Sequence, residues 1–275
     1  MKDTSGSKVV LEILDQNDQL VRTLEGKNEP GINRMVWDFR YEPTTVPVLR
    51  NPPPNMPWVP LDDKGERVLY SWDLDLNGGK RGPRAAPGTY KVRLKAHDQT
   101  LSEELVVLKD PKSTGTLSDI EEQVTFSLKL RHLINQTTDM INNIEWMRKD
   151  LQELRKTELD KQLGEKVNYL EMQLIEIEKV LYDINLTGAR EDAFRNPMKL
   201  YGRLLALAND VGTSSSDFKP TEQQLEVGAI LEGRLQVQSE KYREVLKKEI
   251  PAVNALLKKA KVNIQIGEQN KTKGA

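Results

Sequence analysis

Apolar residues in the middle of the chain recur in alternating steps of four and three residues, and this period most constrains the fold. The steps run without a slip from Phe126 to Leu154 and again from Leu163 to Ile184. Side chains with this period stay on one face of an α-helix, so each series predicts a long helix with one buried stripe. The stripe residues are Phe126, Leu130, Leu133, Thr137, Met140, Ile144, Met147, Leu151 and Leu154, then Leu163, Val167, Leu170, Leu174, Ile177, Leu181 and Ile184.

Local signals define the helix ends. Thr116 or Ser118 is expected to cap the first helix, and Asn196-Pro197 predicts the start of a shorter helix that ends near Gly212. A last helix is predicted from Pro220 to about Lys261. Pro251 should kink it, because proline cannot donate a backbone hydrogen bond.

Short connections between these helices favour a chain that folds back on itself. We therefore predict an antiparallel up-and-down helical bundle over residues 116–265, followed by a disordered tail over 266–275. An intermolecular coiled coil is the alternative. Glu171, Glu176 and Glu178 fall between the stripe residues and are predicted to be solvated.

Residues 8–109 alternate with period two instead, which is typical of half-buried strands. Polar turns separate the runs, as between Asp15 and Asp18, where two strands are predicted to form a hairpin. The first domain, residues 1–110, is thus predicted to be an immunoglobulin-like β-sandwich, and the whole chain an α+β protein of two separate domains. The predicted strands are 9–14, 20–24, Asn33–Tyr41, 89–96 and 101–108.

A proline-rich excursion interrupts this pattern at residues 42–88. Its prolines exclude a central strand, because proline cannot donate to the hydrogen-bond ladder. One short strand is predicted within it, from Arg67 to Leu74. Excursions of this length are usually functional or disordered. The prolines up to residue 60 are Pro43, Pro47, Pro52, Pro53, Pro54, Pro57 and Pro60.

Composition narrows the classes of partner. The 275 residues carry a formal net charge of -1, which predicts no general attraction to nucleic acid. No apolar run approaches the ~20 residues that a membrane span needs. The sequence has no cysteine, which excludes disulfides and thiolate metal sites. The first residues lead into a strand pattern without a signal peptide, so we expect either a cytoplasmic protein or a piece of a longer chain.

Catalytic motifs are missing from the sequence. Its two histidines, His97 and His132, fall in different predicted domains, and no Ser/His/Asp set or metal-binding histidine pair can be assembled around them. The sequence therefore predicts a protein that is not an enzyme and has no cofactor.

Two weak binding signals lie in the excursion. Asp73, Asp75 and Asn77 match the first half of a calcium-binding loop, but Arg84 stands where its last carboxylate belongs, and an ordinary β-turn is the alternative. Trp58 and Trp72 are candidate platforms for a sugar ring, the alternative for Trp58 being packing over the edge of the sandwich. Trp37 is predicted to lie in the core.

Ordered short segments in both halves resemble a known family. Those of the first half are 9–15 (VVLEILD), 20–24 (LVRTL), 31–41 (GINRMVWDFRY), 82–83 (GP) and 86–90 (APGTY). Those of the second half are 195–197 (RNP), 199–201 (KLY), 217–218 (DF), 220–221 (PT) and 250–257 (IPAVNALL). Together they resemble the C-terminal region of bacterial BNR-repeat or sortilin-like (VPS10-type) propeller glycosyl hydrolase-like proteins. The β part also resembles the immunoglobulin-like domain of flagellar hook-capping proteins.

The resemblance implies a role for the chain. It would be a non-catalytic accessory or scaffold region of a secreted, extracytoplasmic protein, with the N-terminal propeller of the parent chain or another protein as partner. The propeller's own repeats and aspartate boxes are absent from this sequence, so no catalytic residue carries over. A free-standing glycan- or protein-binding module is the first alternative, and a glycosidase in its own right is the second.

Overall fold

The computed structural model describes residues 8–67, 81–97, 99–189, 191, 195, 197–212 and 217–268. They form a mixed α+β protein with one four-stranded antiparallel sheet followed by helices. The strands are β1 (Val9–Leu14), β2 (Leu20–Gly26), β3 (Gly88–Ala96) and β4 (Gln99–Val107), in the order β2-β1-β3-β4. The helices are α1 (Leu117–Leu154), α2 (Lys161–Leu181), α3 (Leu200–Gly212), α4 (Glu222–Glu244), a π-helical segment (Val245–Glu249) and α5 (Ile250–Lys259).

Contacts group the chain into two compact units. The first unit draws its described residues from 8–44, 81–131 and 208–225, and the second from 45–67, 132–207 and 226–268. This grouping differs from the predicted division at residues 110–116. Part of the proline-rich excursion belongs with the helices of the second unit, because its hydrogen-bond partners lie there.

The sheet of the first unit begins with the predicted hairpin. The Asp15 carboxylate accepts hydrogen bonds from the backbone N–H groups of Asn17 (2.8 Å) and Gln19 (2.9 Å), which holds the turn between β1 and β2. Ile13, Val21 and Tyr90 form the core of this unit. Trp37 packs edge-on against Tyr90 at 5.2 Å between ring centroids, so its predicted place against the core is confirmed.

The predicted strand Asn33–Tyr41 is wrong. Side chains in this segment alternate in exposure, but the backbone forms no ladder apart from one isolated bridge between Arg40 and Arg84. Phe39 has a φ of 56°, a left-handed conformation that ends any extended run. Of the strand predicted at Arg67–Leu74, Arg67 is not in a strand and the other residues lie outside the described part of the chain.

The stripe residues of α1 and α2 are buried in the structure, as their spacing predicts. Two of the three glutamates predicted to be solvated are not: Glu171 and Glu178 are buried, and only Glu176 is exposed. The reason is that α1 and α2 bury a second face, which carries their ionic residues.

Around Pro251 the last helix changes its hydrogen-bonding pattern. The backbone N–H of Ile250 donates to the carbonyl of Val245, a five-residue step that belongs to the π-helical segment. The helix is thus irregular just before the proline, and the kink predicted at Pro251 stays a prediction.

Residues 266–268, predicted to belong to a disordered tail, are packed instead. Ile266 is buried, and its backbone exchanges two hydrogen bonds with the Asn254 side chain at 2.7 and 2.8 Å. Glu268 accepts a hydrogen bond from the Tyr242 hydroxyl at 3.0 Å.

Candidate functional site

Part of the proline-rich excursion, residues 45–67, is held by side chains of α1, and we call it the anchored loop. The backbone N–H of Thr45 donates to Asn135 Oδ1 at 2.9 Å, and that of Val48 donates to Asn142 Oδ1 at 2.8 Å. Backbone donors of an extended chain are thus satisfied by helix side chains instead of a neighbouring strand.

The distance from Thr45 to Val48 along the loop matches the distance from Asn135 to Asn142 along α1. Three residues of extended chain, from Thr45 to Val48, advance about 10 Å. Seven residues of α-helix, from Asn135 to Asn142, also advance about 10 Å. Asparagines one heptad apart on α1 therefore meet the loop in register.

Three hydrogen bonds join Asn51 of the loop to Glu145 of α1. Its backbone N–H donates to Glu145 Oε2 at 2.9 Å, and its side-chain amide donates to the same oxygen at 2.7 Å and to the Glu145 carbonyl at 2.8 Å. The backbone N–H of Arg50 donates to Glu145 as well. Glu145 and Asn51 are both fully buried, so these hydrogen bonds are not exchanged with water.

Arg67 fixes the other end of the anchored loop. Its buried guanidinium donates to the carbonyls of Ile184 and Leu186 at 2.8 and 2.7 Å, and its backbone N–H donates to the carbonyl of Leu49 at 2.7 Å. Because both ends are fixed, the residues between them are presented as a closed loop.

Trp58 lies on this closed loop. It is 75% exposed, between Pro57 and Pro60, while neighbouring Val59 is buried. The predicted alternative, in which Trp58 is covered by packing, does not describe this arrangement. Trp58 is therefore an exposed aromatic ring on a loop that is held at both ends.

Beneath the anchored loop lies a cluster of buried charges. The Arg148 guanidinium donates to Glu178 at 2.6 Å and to Glu145 at 3.2 Å. Glu171 contacts Arg148 at 3.9 Å and pairs with Arg155. Arg148 and the three glutamates join α1, α2 and the loop through one set of ion pairs.

Burial and the adjacent Glu145 carboxylate raise the pKa of Glu178 well above its ordinary value, although Arg148 opposes the shift. Burial also lowers the pKa of Arg67. Neither Glu145 nor Glu178 exposes any surface to solvent. These two side chains are therefore not accessible to a substrate.

A second feature of this unit is a pocket of about 610 Å³, which we call the basic pocket. Pro54 and Asn55 of the anchored loop line it. Residues on or next to helices supply the charges on its lining, namely Glu176, Lys179, Asp183, Lys199, Arg203 and Arg234.

The first unit carries a groove of about 820 Å³ along β4. Phe39, Val106, Leu108 and Phe218 line it and are largely exposed. Strand β4 is at the edge of the sheet among the described strands. An exposed apolar groove beside an edge strand is a surface where another polypeptide could pack.

Most residues of the weak binding-site predictions lie in segments that the structure does not describe. Trp72, Asp73, Asp75 and Asn77 lie outside the described residues, so the calcium prediction stays a prediction. Within the described ranges, no three His, Cys, Asp or Glu side chains are grouped to hold a metal ion. None of the described helices is long and apolar enough to cross a membrane.

Sequence reasoning missed the ionic residues of α1 and their partners on the loop. A signal was present: Ile134, Thr138, Ile141, Glu145 and Arg148 repeat the four-three spacing one residue after the main stripe. All five are buried. A second stripe of this kind indicates a helix that is covered on two faces.

Comparisons of the chain with models of known families, with curated proteins and with solved structures find no match.

Proposed function

We propose that the chain is a non-catalytic accessory and scaffold region of a secreted BNR-propeller glycosyl hydrolase-like protein. The observation that carries the non-catalytic role is the burial of Glu145 and Glu178 under the anchored loop. Glycoside hydrolysis needs two carboxylates about 5–9.5 Å apart around a cleft that admits a sugar. Instead, buried Glu145 holds the anchored loop and buried Glu178 pairs with Arg148. The link to a propeller protein rests on the sequence resemblance.

The proposal extends to the fold. The sheet of the first unit, with Trp37 and Tyr41 packed on one face, would be the described part of an immunoglobulin-like sandwich of the hook-cap type. The helices would form an antiparallel bundle. The groove along β4 supports contact with another protein, and the propeller of the parent chain is the proposed partner.

The size of the native polypeptide tests the accessory role. An antibody raised against this chain should detect a band well above 31.4 kDa in an extracytoplasmic fraction of the source cells. A band at 31.4 kDa in the cytoplasm would contradict the proposal. Purified chain should also show no turnover of aryl glycosides, and measurable turnover would support the glycosidase alternative.

A second candidate function is favoured by Trp58. We propose that the anchored loop binds a glycan, with the exposed indole stacked on a pyranose ring. This role suits either an accessory region or a free-standing binding module. Affinity electrophoresis through polysaccharide gels tests it, since binding slows the migration of the protein.

The variant Trp58→Ala should migrate freely in every gel that retards the wild-type chain. Tyr169→Ala is the matched control, because Tyr169 is also exposed on the second unit but lies on α2, outside the loop. It should migrate as the wild type does. Equal retardation of wild type and Trp58→Ala would exclude the loop as the glycan site.

A further inference from the structure

The basic pocket gathers three positively charged side chains on one concave surface of the second unit. Lys199, Arg203 and Arg234 line it, and none has a carboxylate partner among the residues that the structure describes. The Arg203 side chain makes one hydrogen bond within the described part of the chain, from Nε to the Met198 carbonyl at 3.0 Å. Its two terminal nitrogens stay available to a ligand.

The acids of the pocket do not balance these cations. Glu176 is paired with Lys179 on the same helix. Asp183 accepts a hydrogen bond from the backbone N–H of Asn185 at 3.0 Å and is the remaining carboxylate on the lining. Three unpaired cations against one such carboxylate give the pocket a positive potential that favours an anionic ligand.

The end of a helix adds to this potential. Met198, Lys199 and Leu200 on the lining lie at the start of α3, which has 13 residues. The first backbone N–H groups of a helix have no partner within it and carry partial positive charge. Arginine side chains beside such a helix start provide the planar donors that carboxylate and sulfate groups accept in pairs.

The anchored loop connects this pocket with the aromatic platform. Asn55 lines the pocket, and Trp58 is three residues farther along the same loop. A polymer of sugars offers both chemistries at once, with pyranose faces for an indole and acidic substituents for arginines. A small inorganic anion would use only the pocket.

We infer that the second unit binds an acidic polysaccharide, with a carboxylate or sulfate substituent in the basic pocket and a neighbouring sugar on Trp58. This inference rests on the proposed glycan-binding role of the anchored loop. It adds the class of glycan and names Arg203 and Arg234 as the residues that select it.

Matched pairs of polymers test the selection. Polygalacturonate carries a carboxylate on each sugar, and its fully methyl-esterified form has the same backbone without the charge. Dextran sulfate and dextran form the corresponding pair for sulfate. The full chain should bind at least one charged polymer about tenfold or more tightly than its neutral counterpart, as measured by isothermal titration calorimetry.

Charge-matched variants locate the site. Arg203→Gln with Arg234→Gln should weaken binding of the charged polymer by about tenfold or more, because hydrogen bonds to charged groups are the stronger ones. Lys241→Gln with Arg243→Gln removes the same charge from exposed positions of α4 and should change binding less than about twofold. All four positions are exposed, so both double variants should fold as the wild type does.

The outcomes separate this inference from the proposed function. Equal binding of charged and neutral polymers, abolished by Trp58→Ala, would overturn the acidic selection and leave the glycan role standing. Absence of binding to any polymer would overturn both. Single-stranded DNA that bound as tightly as the charged polymers would also overturn the inference, since the pocket would then recognise only polyanions. Binding limited to dextran sulfate, with the same loss in the arginine variant, would support it and assign sulfate as the ligand group.

Discussion

The Arg148 guanidinium of α1 donates a hydrogen bond to the Glu178 carboxyl of α2 at 2.6 Å, where 1% and 0% of the two side chains remain exposed. The same guanidinium reaches Glu145, which in turn accepts the backbone donors of the anchored loop. One buried cation is therefore common to two helices and the loop, and the arrangement of the second unit depends on it.

Replacement of Arg148 by methionine tests this dependence. The variant keeps a long side chain but leaves the buried Glu145 carboxylate without its cation and Glu178 without its hydrogen-bond donor, which should lower the free energy of unfolding by about 3–5 kcal/mol. Urea denaturation followed by circular dichroism measures the change. Lys156→Met is the control, because Lys156 pairs with Glu153 on the exposed surface at 2.7 Å and should contribute less than about 1 kcal/mol. Equal losses in the two variants would show that the buried pair contributes no more than a surface pair.

The raised pKa of Glu178 predicts a pH dependence. Burial, with the neighbouring Glu145 carboxylate, keeps the proton on Glu178 in the folded chain above the pH at which the unfolded chain loses it, near 4.5. Between this pH and the higher pH at which the folded chain loses the proton, the folded state binds more protons than the unfolded state. The free energy of unfolding therefore falls as the pH rises through this range. The glutamine side chain of Glu178→Gln cannot ionise, so the stability of this variant does not show this decrease with rising pH. The stability of the variant relative to wild type should therefore increase as the pH rises above about 4.5.

Denaturation midpoints across this range measure the effect. Glu176→Gln supplies the control, because Glu176 is on the same helix but exposed, and its difference from wild type should stay nearly constant. A constant difference for Glu178→Gln as well would show that folding does not raise the pKa of Glu178.

Asn51 provides a test of the loop itself. Asn51→Ala removes the amide that donates to Glu145 and leaves a buried carboxylate with fewer partners, which should cost about 1–3 kcal/mol. The effect should be local: hydrogen exchange at the backbone N–H groups of Val48 and Asn51 should accelerate, while exchange in β1 should not change. Asn263→Ala, at an exposed position, is the control. Unchanged exchange at Val48 and Asn51 would show that the loop does not depend on the Asn51 side chain.

Sequence periodicity predicted the helices well because burial on one face dictates the period directly. The stripe from Phe126 to Leu154 is buried throughout, as expected of a helix covered along its length. The anchored loop could not be predicted in this way. Its hydrogen bonds join residues about 90 positions apart, such as Thr45 and Asn135, and no local pattern encodes such a pairing.

The candidate site, like the fold, could be predicted only in part from the sequence. Trp58 was identified because a large aromatic residue among prolines is unusual within a short stretch of sequence. Arg203 and Arg234 were not identified, because each is an ordinary charged residue on a helix surface. They become notable only when α3 and α4 place them on one pocket, as residues of the tertiary fold.

Two glycines with opposite surroundings provide the last prediction. A Cβ atom on Gly115 would lie 1.7 Å from the backbone carbonyl oxygen of Asp217, a contact that only a shift of the main chain relieves. Gly115→Ala should therefore destabilise the first unit by about 1–3 kcal/mol, as overpacking does elsewhere. A Cβ atom on Gly233 would meet nothing within 4 Å, and alanine there should stabilise α4 by about 0.5–1 kcal/mol because it restricts the unfolded chain more. Calorimetric melting of the two variants should give shifts of opposite sign. Stabilisation by Gly115→Ala would contradict the close packing of the linker before α1 against Asp217.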